Sequence, residues 1–390
     1  MFEIPKSVKN LMNVIRKNGY EAYIVGGCVR DMLLCRTPSD FDVTTSAMPK
    51  EILGMFERTV SVGIKHGTVG VVTQDGVVEV TTFRSDGDYN DCRRPESVKF
   101  VRSLKEDLAR RDFTVNAMAY SDSTGLIDCF GGREDIKNRI LRTVGEPKTR
   151  FSEDALRILR LFRFACTLGF TPEESTLKAA VEDAYLLEHI SRERIYEELS
   201  KASLSEYVGE LEPLIKSGGL NFLGICGCAP LNKIGKLSSN RCLRLFALLN
   251  LCGCGDIVNV SVSLKAPKKF SDYCAVLLNL IAKDFPTDKT DIKEMLNISS
   301  PEMFEDYLEY ERIILERNTD SVAEMKREIE RNGEPYRISD LAVSGNDVKK
   351  LGFKGTEIGA VLEKIRKTAV IDPKLNQNEY LLQLAKELTE

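Results

Sequence analysis

Along residues 1–138, apolar side chains come in short β-branched runs, Ala22 to Val25, Val69 to Thr73 and Val77 to Thr82, separated by helical stretches and glycine-containing turns. Such alternation predicts an α/β unit. From about residue 150 the rhythm changes: Leu, Arg, Glu and Lys dominate, and apolar residues recur at intervals of three and four. The remaining two thirds are therefore expected to be helical, making the chain α+β as a whole. Boundaries are expected near residues 138, 200 and 300, giving segments 1–138, 139–200, 201–300 and 301–390. The sequence carries no internal repeat and no low-complexity stretch.

Within the helical part, Glu153 to Ala165 stands out, because every residue there except Glu153, Asp154, Arg157, Arg160 and Arg163 is apolar. A helix is expected, buried on most sides and carrying one charged strip. Buried arginines need anionic or acceptor partners. Asp154 and Arg157 fall three apart on one side of such a helix, so an intrahelical ion pair is the plain alternative to a binding role.

Composition narrows the class. With 390 residues, 43% hydrophobic and 29% charged, the chain is long enough for more than one packed unit. Residues 1–18 mix charges into apolar positions at helical spacing, unlike a signal peptide. The longest apolar stretch, Ala275 to Ala282, is broken by Asn279 and falls far short of the roughly 20 residues a bilayer span needs. Neither export nor a membrane span is expected, and the eleven cysteines read as reduced thiols in a cytoplasmic protein. Cys226-Gly227-Cys228 and Cys252-Gly253-Cys254 invite a zinc reading, but one-residue spacing departs from the usual ligand spacing, and core filling is expected instead. The net charge of −4 excludes a uniformly basic nucleic-acid binder and confines any RNA contact to a local patch.

Two segments carry candidate chemistry. In Ser39-Asp40-Phe41-Asp42-Val43-Thr44 the carboxylates lie two apart, so in a strand both point to one exposed edge while Phe41 and Val43 face the core. Two carboxylates roughly 6 Å apart repel by about 3 kcal/mol at an effective dielectric of about 20, which calls for a cation. Mg²⁺, which prefers oxygen ligands and substrate phosphates, fits, and a solvated strand end is the alternative. Upstream, Tyr23-Ile24-Val25 runs into Gly26-Gly27-Cys28-Val29-Arg30-Asp31, a strand, a glycine turn and a helix start. Missing β-carbons let backbone N–H groups approach an anion, the helix N-terminus adds its positive end, and Arg30 offers a guanidinium fork. A tight turn with a surface arginine is the alternative. A phosphate site beside a twin-carboxylate site is what nucleotidyl transfer requires.

These residues resemble the class II CCA-adding tRNA nucleotidyltransferases and bacterial poly(A) polymerases of the polymerase β superfamily. Gly26-Gly27 with Arg30-Asp31, Asp40 and Asp42 looks like the family's first motif, and Arg110-Arg111-Asp112-Phe113-Thr114-Val115-Asn116-Ala117 like its second. Glu153-Asp154 with Arg157 and Arg160 resembles its nucleobase-recognition motif, and Ser191-Arg192-Glu193-Arg194-Ile195 the helix motif that follows. The resemblance implies a polymerase β-like catalytic head over 1–138, followed by an elongated helical neck over 139–200, a body over 201–300 and a tRNA-binding tail over 301–390. It implies Mg²⁺ held by Asp40 and Asp42 during in-line attack of a tRNA 3′-hydroxyl on the α-phosphorus, with pyrophosphate leaving. Glu79, in Val77-Val78-Glu79-Val80, resembles the third acidic residue of such sites, with a surface Glu on an edge strand as the alternative. Gly27, Arg30, Arg111, Asp154, Arg157, Arg160 and Arg163 are the implied nucleotide-binding residues, with CTP, ATP and tRNA as partners, and neither DNA nor a membrane.

The implied base choice has a physical logic. Cytosine and adenine both present an amine donor beside a ring-nitrogen acceptor, whereas uracil and guanine present the reverse. Asp154 would accept from the amine and Arg157 donate to the ring nitrogen. Residues 84–98, polar and turn-rich, look like the family's complete specificity loop, and with His66-Gly67-Thr68-Val69 they favour full CCA addition. In the tail, the glycines at 345, 352, 355 and 359 beside Lys349, Lys350 and Lys354 suit phosphate-backbone contact, or simply cap a helical hairpin. Only His66 and His189 are present, too few for the phosphohydrolase domain some relatives carry. A poly(A) polymerase, or a CC-adding or A-adding enzyme, would share every catalytic residue named. A small-molecule nucleotidyltransferase would not need the long helical part, and a non-catalytic RNA binder would not need both Asp40 and Asp42. Cys28 in the glycine turn and Cys35 near the acidic pair are candidate oxidation sites.

Overall fold

The computed structural model describes residues 3–86, 98–227 and 229–387. Contacts divide the chain into two compact units. The first comprises Met1–Gly235, Leu248–Asp256 and Ser263–Lys265, and the second Lys236–Ala247, Ile257–Val262 and Ala266–Glu390.

The first unit opens with helix α1 (Lys6–Lys17), whose Val8, Leu11, Met12 and Ile15 are buried, an apolar stripe at helical spacing. Strands β1 (Ala22–Val25), β2 (Asp42–Thr45), β3 (Thr59–Gly63), β4 (Thr68–Thr73) and β5 (Gly76–Thr82) follow, with helices α2 (Gly27–Leu33) and α3 (Pro49–Met55) between them. A short ribbon, β6 (Arg84–Asp86) with β7 (Val98–Phe100), precedes α4 (Leu104–Ala109), β8 (Met118–Ser121), β9 (Gly125–Asp128) and α5 (Gly132–Asn138). Seven strands form one mixed sheet in the order β3-β4-β5-β2-β1-β8-β9. All four residues of β1 are buried, as expected for a central strand covered on both faces. One side of it packs Tyr23, Val25, Phe83, Leu108 and Ala119 together.

Register decides what the sheet displays. β2 lies antiparallel to β1 with Asp42 opposite Val25, and parallel to β5 with Asp42 opposite Glu79. Directly paired residues sit side by side on the same face, so Asp42 and Glu79 are neighbours beside the end of β1.

Beyond the sheet the unit is helical: α6 (Pro147–Glu153), α7 (Leu156–Leu168), α8 (Glu174–Glu182) and α9 (Arg192–Ser203). Ten side chains of α7 are buried, matching the apolar texture of its sequence. The expected continuous helix from Glu153 to Ala165 is broken, however. α6 ends at Glu153, and Asp154 takes an extended conformation with φ −139° and ψ 101°. The Asp154 carboxylate accepts from the backbone N–H of Leu156 at 3.1 Å, the local bond by which an aspartate competes with helix continuation.

The second unit consists of helices, among them Lys268–Ile281, Lys289–Ile298, Pro301–Ile313, Asp320–Asn332 and Thr356–Ile371. Its charged interior is paired throughout: Lys293 lies 2.7 Å from Glu334, Lys326 the same distance from Glu305, and Arg366 2.8 Å from Glu294. Among the described residues, no helix is long and apolar enough to cross a membrane.

Candidate active site

The acidic half of the site begins where β2 starts. Asp40 precedes the strand and Asp42 opens it, and both line, with Glu79, a recess of about 990 Å³. Val43 is buried as expected, but Phe41 is only half-buried and lines the recess with the acids. The chain has not settled into strand pleat at residue 41, so strict alternation does not reach it. Desolvation raises the Asp42 carboxyl, Arg111 opposes the shift and Asp40 adds to it. Glu79 is raised by desolvation and by the charges of Asp42 and Asp40. Asp42 and Glu79, both raised, form with the neighbouring Asp40 a set of oxygen donors whose crowding a hard divalent cation would relieve. Among the described residues, no three acidic, His or Cys side chains converge closely enough to enclose a metal by themselves, so any ion here must complete its shell with water and substrate oxygens. Cys228 lies outside the described residues, as does most of the expected specificity loop, 87–97.

The candidate phosphate half is the turn leaving β1. Gly26 has φ 82° and ψ −133°, a conformation open in practice only to glycine. An added β-carbon there would lie 3.1 Å from Arg111 Nη1. At Gly27 it would meet nothing nearer than Arg30 Nη2 at 3.6 Å, so geometric necessity falls on the first glycine rather than the second. Arg30 is buried and already held: Nε and Nη2 donate to Asp31 Oδ1 at 2.9 and 2.8 Å, and Nη1 donates to Asn116 Oδ1 at 2.7 Å. Arg111 adjoins both halves, near Gly26, attracted by Asp42, and 3.4 Å from the buried Asp107. Cys28 is buried, and desolvation pushes its thiol up to about 11, which corrects the expectation that it is an oxidation site. Cys35 is exposed and lines the recess.

Asp154 and Arg157 each have partners of their own. The break at Asp154 turns its carboxylate toward α9, where Arg194 Nη2 donates at 3.0 Å. Arg157, buried, donates to Glu153 at 2.6 Å and to the carbonyls of Arg150 and Arg110, each at 3.0 Å. Arg160 makes a two-pronged contact with Asp112 at 2.8 and 2.6 Å, and Arg163 lies 2.5 Å from Glu198. Burial alone would raise the Asp112 carboxyl, but Arg160, Asn116 and the Phe113 N–H hold it far below the usual range. Asn116 donates to Asp112 at 3.1 Å. One polar chain therefore runs from Asp31 through Arg30, Asn116, Asp112 and Arg160 to α9. Sequence reasoning gave no role to Asp112, Asn116, Phe164 or Glu198. The available signal was the buried acidic position in α9 facing the arginines of α7, visible only once the two helices are known to pack.

Comparison with known proteins places the chain in a family. The family described as "Poly A polymerase head domain" matches residues 22–142, and "Probable RNA and SrmB- binding site of polymerase A" matches residues 169–223. The chain is 52% identical over 211 residues to the CCA-adding enzyme of Geobacillus thermodenitrificans, a stretch covering 54% of the chain and 52% of that relative. The chain thus spans about half the length of this curated relative. Against the CCA-adding enzyme of Geobacillus kaustophilus it is 45% identical over 278 residues, 69% of the chain and 68% of the relative. The crystal structure of the Bacillus stearothermophilus CCA-adding enzyme in complex with CTP matches with a TM-score of 0.85 at 33% identity, over 98% of this chain and 97% of that one.

Proposed function

Because the chain belongs to the CCA-adding enzyme family of tRNA nucleotidyltransferases, we propose that it adds C, C and A in turn to the 3′ end of tRNA from CTP and ATP, releasing pyrophosphate. The observation that carries the reading is the register of β2. It sets Asp42 beside Glu79 at the point where β1 turns into the Gly26-Gly27 cradle, so phosphate-facing and metal-facing groups share one sheet edge.

Asp40 and Asp42 are the proposed Mg²⁺ ligands, with Glu79 as a third oxygen donor. When bound, the ion neutralises phosphate charge and lowers the pKa of the attacking hydroxyl. This chain's residues supply the remainder. Gly27, Arg30 and Arg111 line the triphosphate's approach, and Arg160 and Arg163 extend positive charge along α7. Arg30 is held by Asp31 and Asn116, so it reaches phosphate by exchanging part of that fork rather than by swinging in from solvent.

Base choice falls to Asp154 and Arg157. A carboxylate and a guanidinium three residues apart would neutralise each other and close the reading edge. Arg194 and Glu153 prevent this by giving each its own partner. Asp154 then accepts from the exocyclic amine of cytosine or adenine while Arg157 donates to the ring nitrogen. Uracil and guanine would set carbonyl against carboxylate. The cytoplasm is the proposed compartment, and tRNA the proposed partner of the second unit's tail.

The test is incorporation of labelled CTP and ATP, separately and together with Mg²⁺, into tRNA ending before CC, after C or after CC. Ordered addition that stops after the terminal A, and is lost in Asp42→Ala, is expected. Untemplated A-tailing of arbitrary RNA would make the chain a poly(A) polymerase, and addition at one step alone a partial enzyme. No transfer at all would defeat the reading.

A further inference from the structure

Three guanidiniums meet on one aromatic ring. Phe164, on α7, is 4% exposed. The Arg163 guanidinium lies 3.6 Å from its centroid, and those of Arg30 and Arg160 each lie 5.2 Å away. Arg30 comes from the phosphate turn, whereas Arg160 and Arg163 belong to the strip on α7. The ring is held from below by Phe113, edge-on at a centroid distance of 5.8 Å and an angle of 82°, and Phe113 sits in the same segment as Asp112 and Asn116.

Each of the three arginines also meets a carboxylate, Asp31 on α2, Asp112 before β8 or Glu198 on α9, and Glu198 lies 3.9 Å from Arg160 as well. Phe164 is the contact they share. The difference between the two kinds of partner matters for binding. A carboxylate fixes a guanidinium by taking up its N–H donors and cancelling its charge. An aromatic face attracts the cation through its quadrupole and occupies none of the in-plane donors. A ring at the centre of three arginines therefore helps to set their spacing without occupying any further in-plane donor.

We propose that Phe164 is a positioning residue for nucleotide binding, whose ring couples the phosphate-turn arginine, Arg30, to Arg160 and Arg163 of α7 so that the triphosphate meets one preassembled cationic surface. The inference rests on the function proposed above. Losing the ring leaves Arg30 joined to Arg160 only through Asn116 and Asp112, and Arg160 to Arg163 only through Glu198, a looser set of links than one shared contact. Nucleotide affinity then falls while the acidic pair, which the ring does not touch in any contact described above, still supports transfer at saturation.

The test uses the full chain and three variants, Phe164→Leu, Phe164→Met and Phe164→Tyr, read by equilibrium binding of CTP and ATP, by KM and kcat for incorporation into tRNA, and by thermal midpoint. Phe164→Leu is expected to weaken CTP and ATP binding and to raise KM for both by about tenfold, with kcat changed less than about twofold. Phe164→Tyr, which keeps the ring, is expected to stay within about twofold of the parent. Phe164→Met fills similar volume without a ring and should behave as the leucine variant, which keeps the test available if leucine leaves the core too loose to fold. Unchanged nucleotide binding in folded Leu or Met variants, even with a lowered midpoint, would reduce Phe164 to core packing and overturn the inference alone. Equal impairment in Phe164→Tyr would overturn it too. A parent chain that binds neither CTP nor ATP would remove the functional reading and this inference together.

Discussion

At the scale of single residues, the site is governed by carboxylates pushed in opposite directions. Asp42 and Glu79 are raised by desolvation and by neighbouring negative charge. Their native forms bind protons more readily than the unfolded chain does, so stability falls as pH rises through the window above the ordinary carboxylate range of about 4. A divalent cation, which needs both ionised, should bind more tightly as pH rises through the same window. Asp42→Asn is expected to raise the thermal midpoint without metal and to abolish the Mg²⁺-dependent gain, which a midpoint series across pH with and without Mg²⁺ would reveal. Asp112 is the opposite case. Its depressed carboxyl contributes stability fully above a pH of about 4, and the contribution is lost as pH falls from there toward the native value. Asp112→Ala is expected to cost about 2–4 kcal/mol near neutrality, toward the lower figure because Arg160 is a third exposed and water screens it. Denaturant midpoints of parent and variant should converge in acid, and parallel curves would contradict the assignment.

At the scale of elements, two short departures from regularity do the positioning: the turn after β1 and the gap between α6 and α7. Gly26 occupies a backbone region closed to other residues, with Arg111 against its α-carbon. Gly26→Ala is expected to cost about 1–3 kcal/mol in strain and most of the transfer activity, whereas Gly27→Ala should fold normally. Equal loss of stability in both would mean that the turn, and not the φ of one residue, sets the requirement. In the gap, Asp154 leaves the helix and meets Arg194, so the carboxylate proposed to read the base is held from α9. Arg194→Ala is expected to lower discrimination for CTP and ATP over UTP and GTP by roughly tenfold, the worth of one charge-assisted hydrogen bond. Competition assays with mixed triphosphates measure this, and unchanged selectivity would show that Asp154 needs no clamp.

At the scale of the whole molecule, every residue given a nucleotide role lies in the first compact unit, and the lysines and glycines of the tail lie in the second. Hydrogen exchange should separate their tasks. CTP with Mg²⁺ is expected to slow exchange around residues 26–31 and 154–163 while leaving 345–359 unchanged, and tRNA is expected to protect 345–359. Protection of the tail by CTP alone would require the two units to communicate. The net charge of −4 makes the same division reasonable, since an acidic chain can hold RNA only through local basic surface.

Much of this was legible in the chain before folding, because it rests on short-range rules. The β-branched runs became strands, the charged strip of α7 lay among buried neighbours, and Gly26, Asp40 and Asp42 fell beside one another because the turn, helix and returning strand between them are brief. Element type, the acidic edge and the phosphate turn are local consequences of side-chain size, backbone freedom and spacing. What the sequence could not supply was partnership. Helical spacing made Asp154 and Arg157 natural partners for each other, yet Arg157 takes Glu153, four residues back, and packing gave Asp154 to Arg194. The same packing brought Asp112 and Glu198 to the arginines of α7 and drew Arg30 onto the ring of Phe164. An ion pair or a cation on an aromatic face depends on distances of a few ångströms between residues dozens of positions apart, and those distances exist only once the sheet and helices have closed on their core.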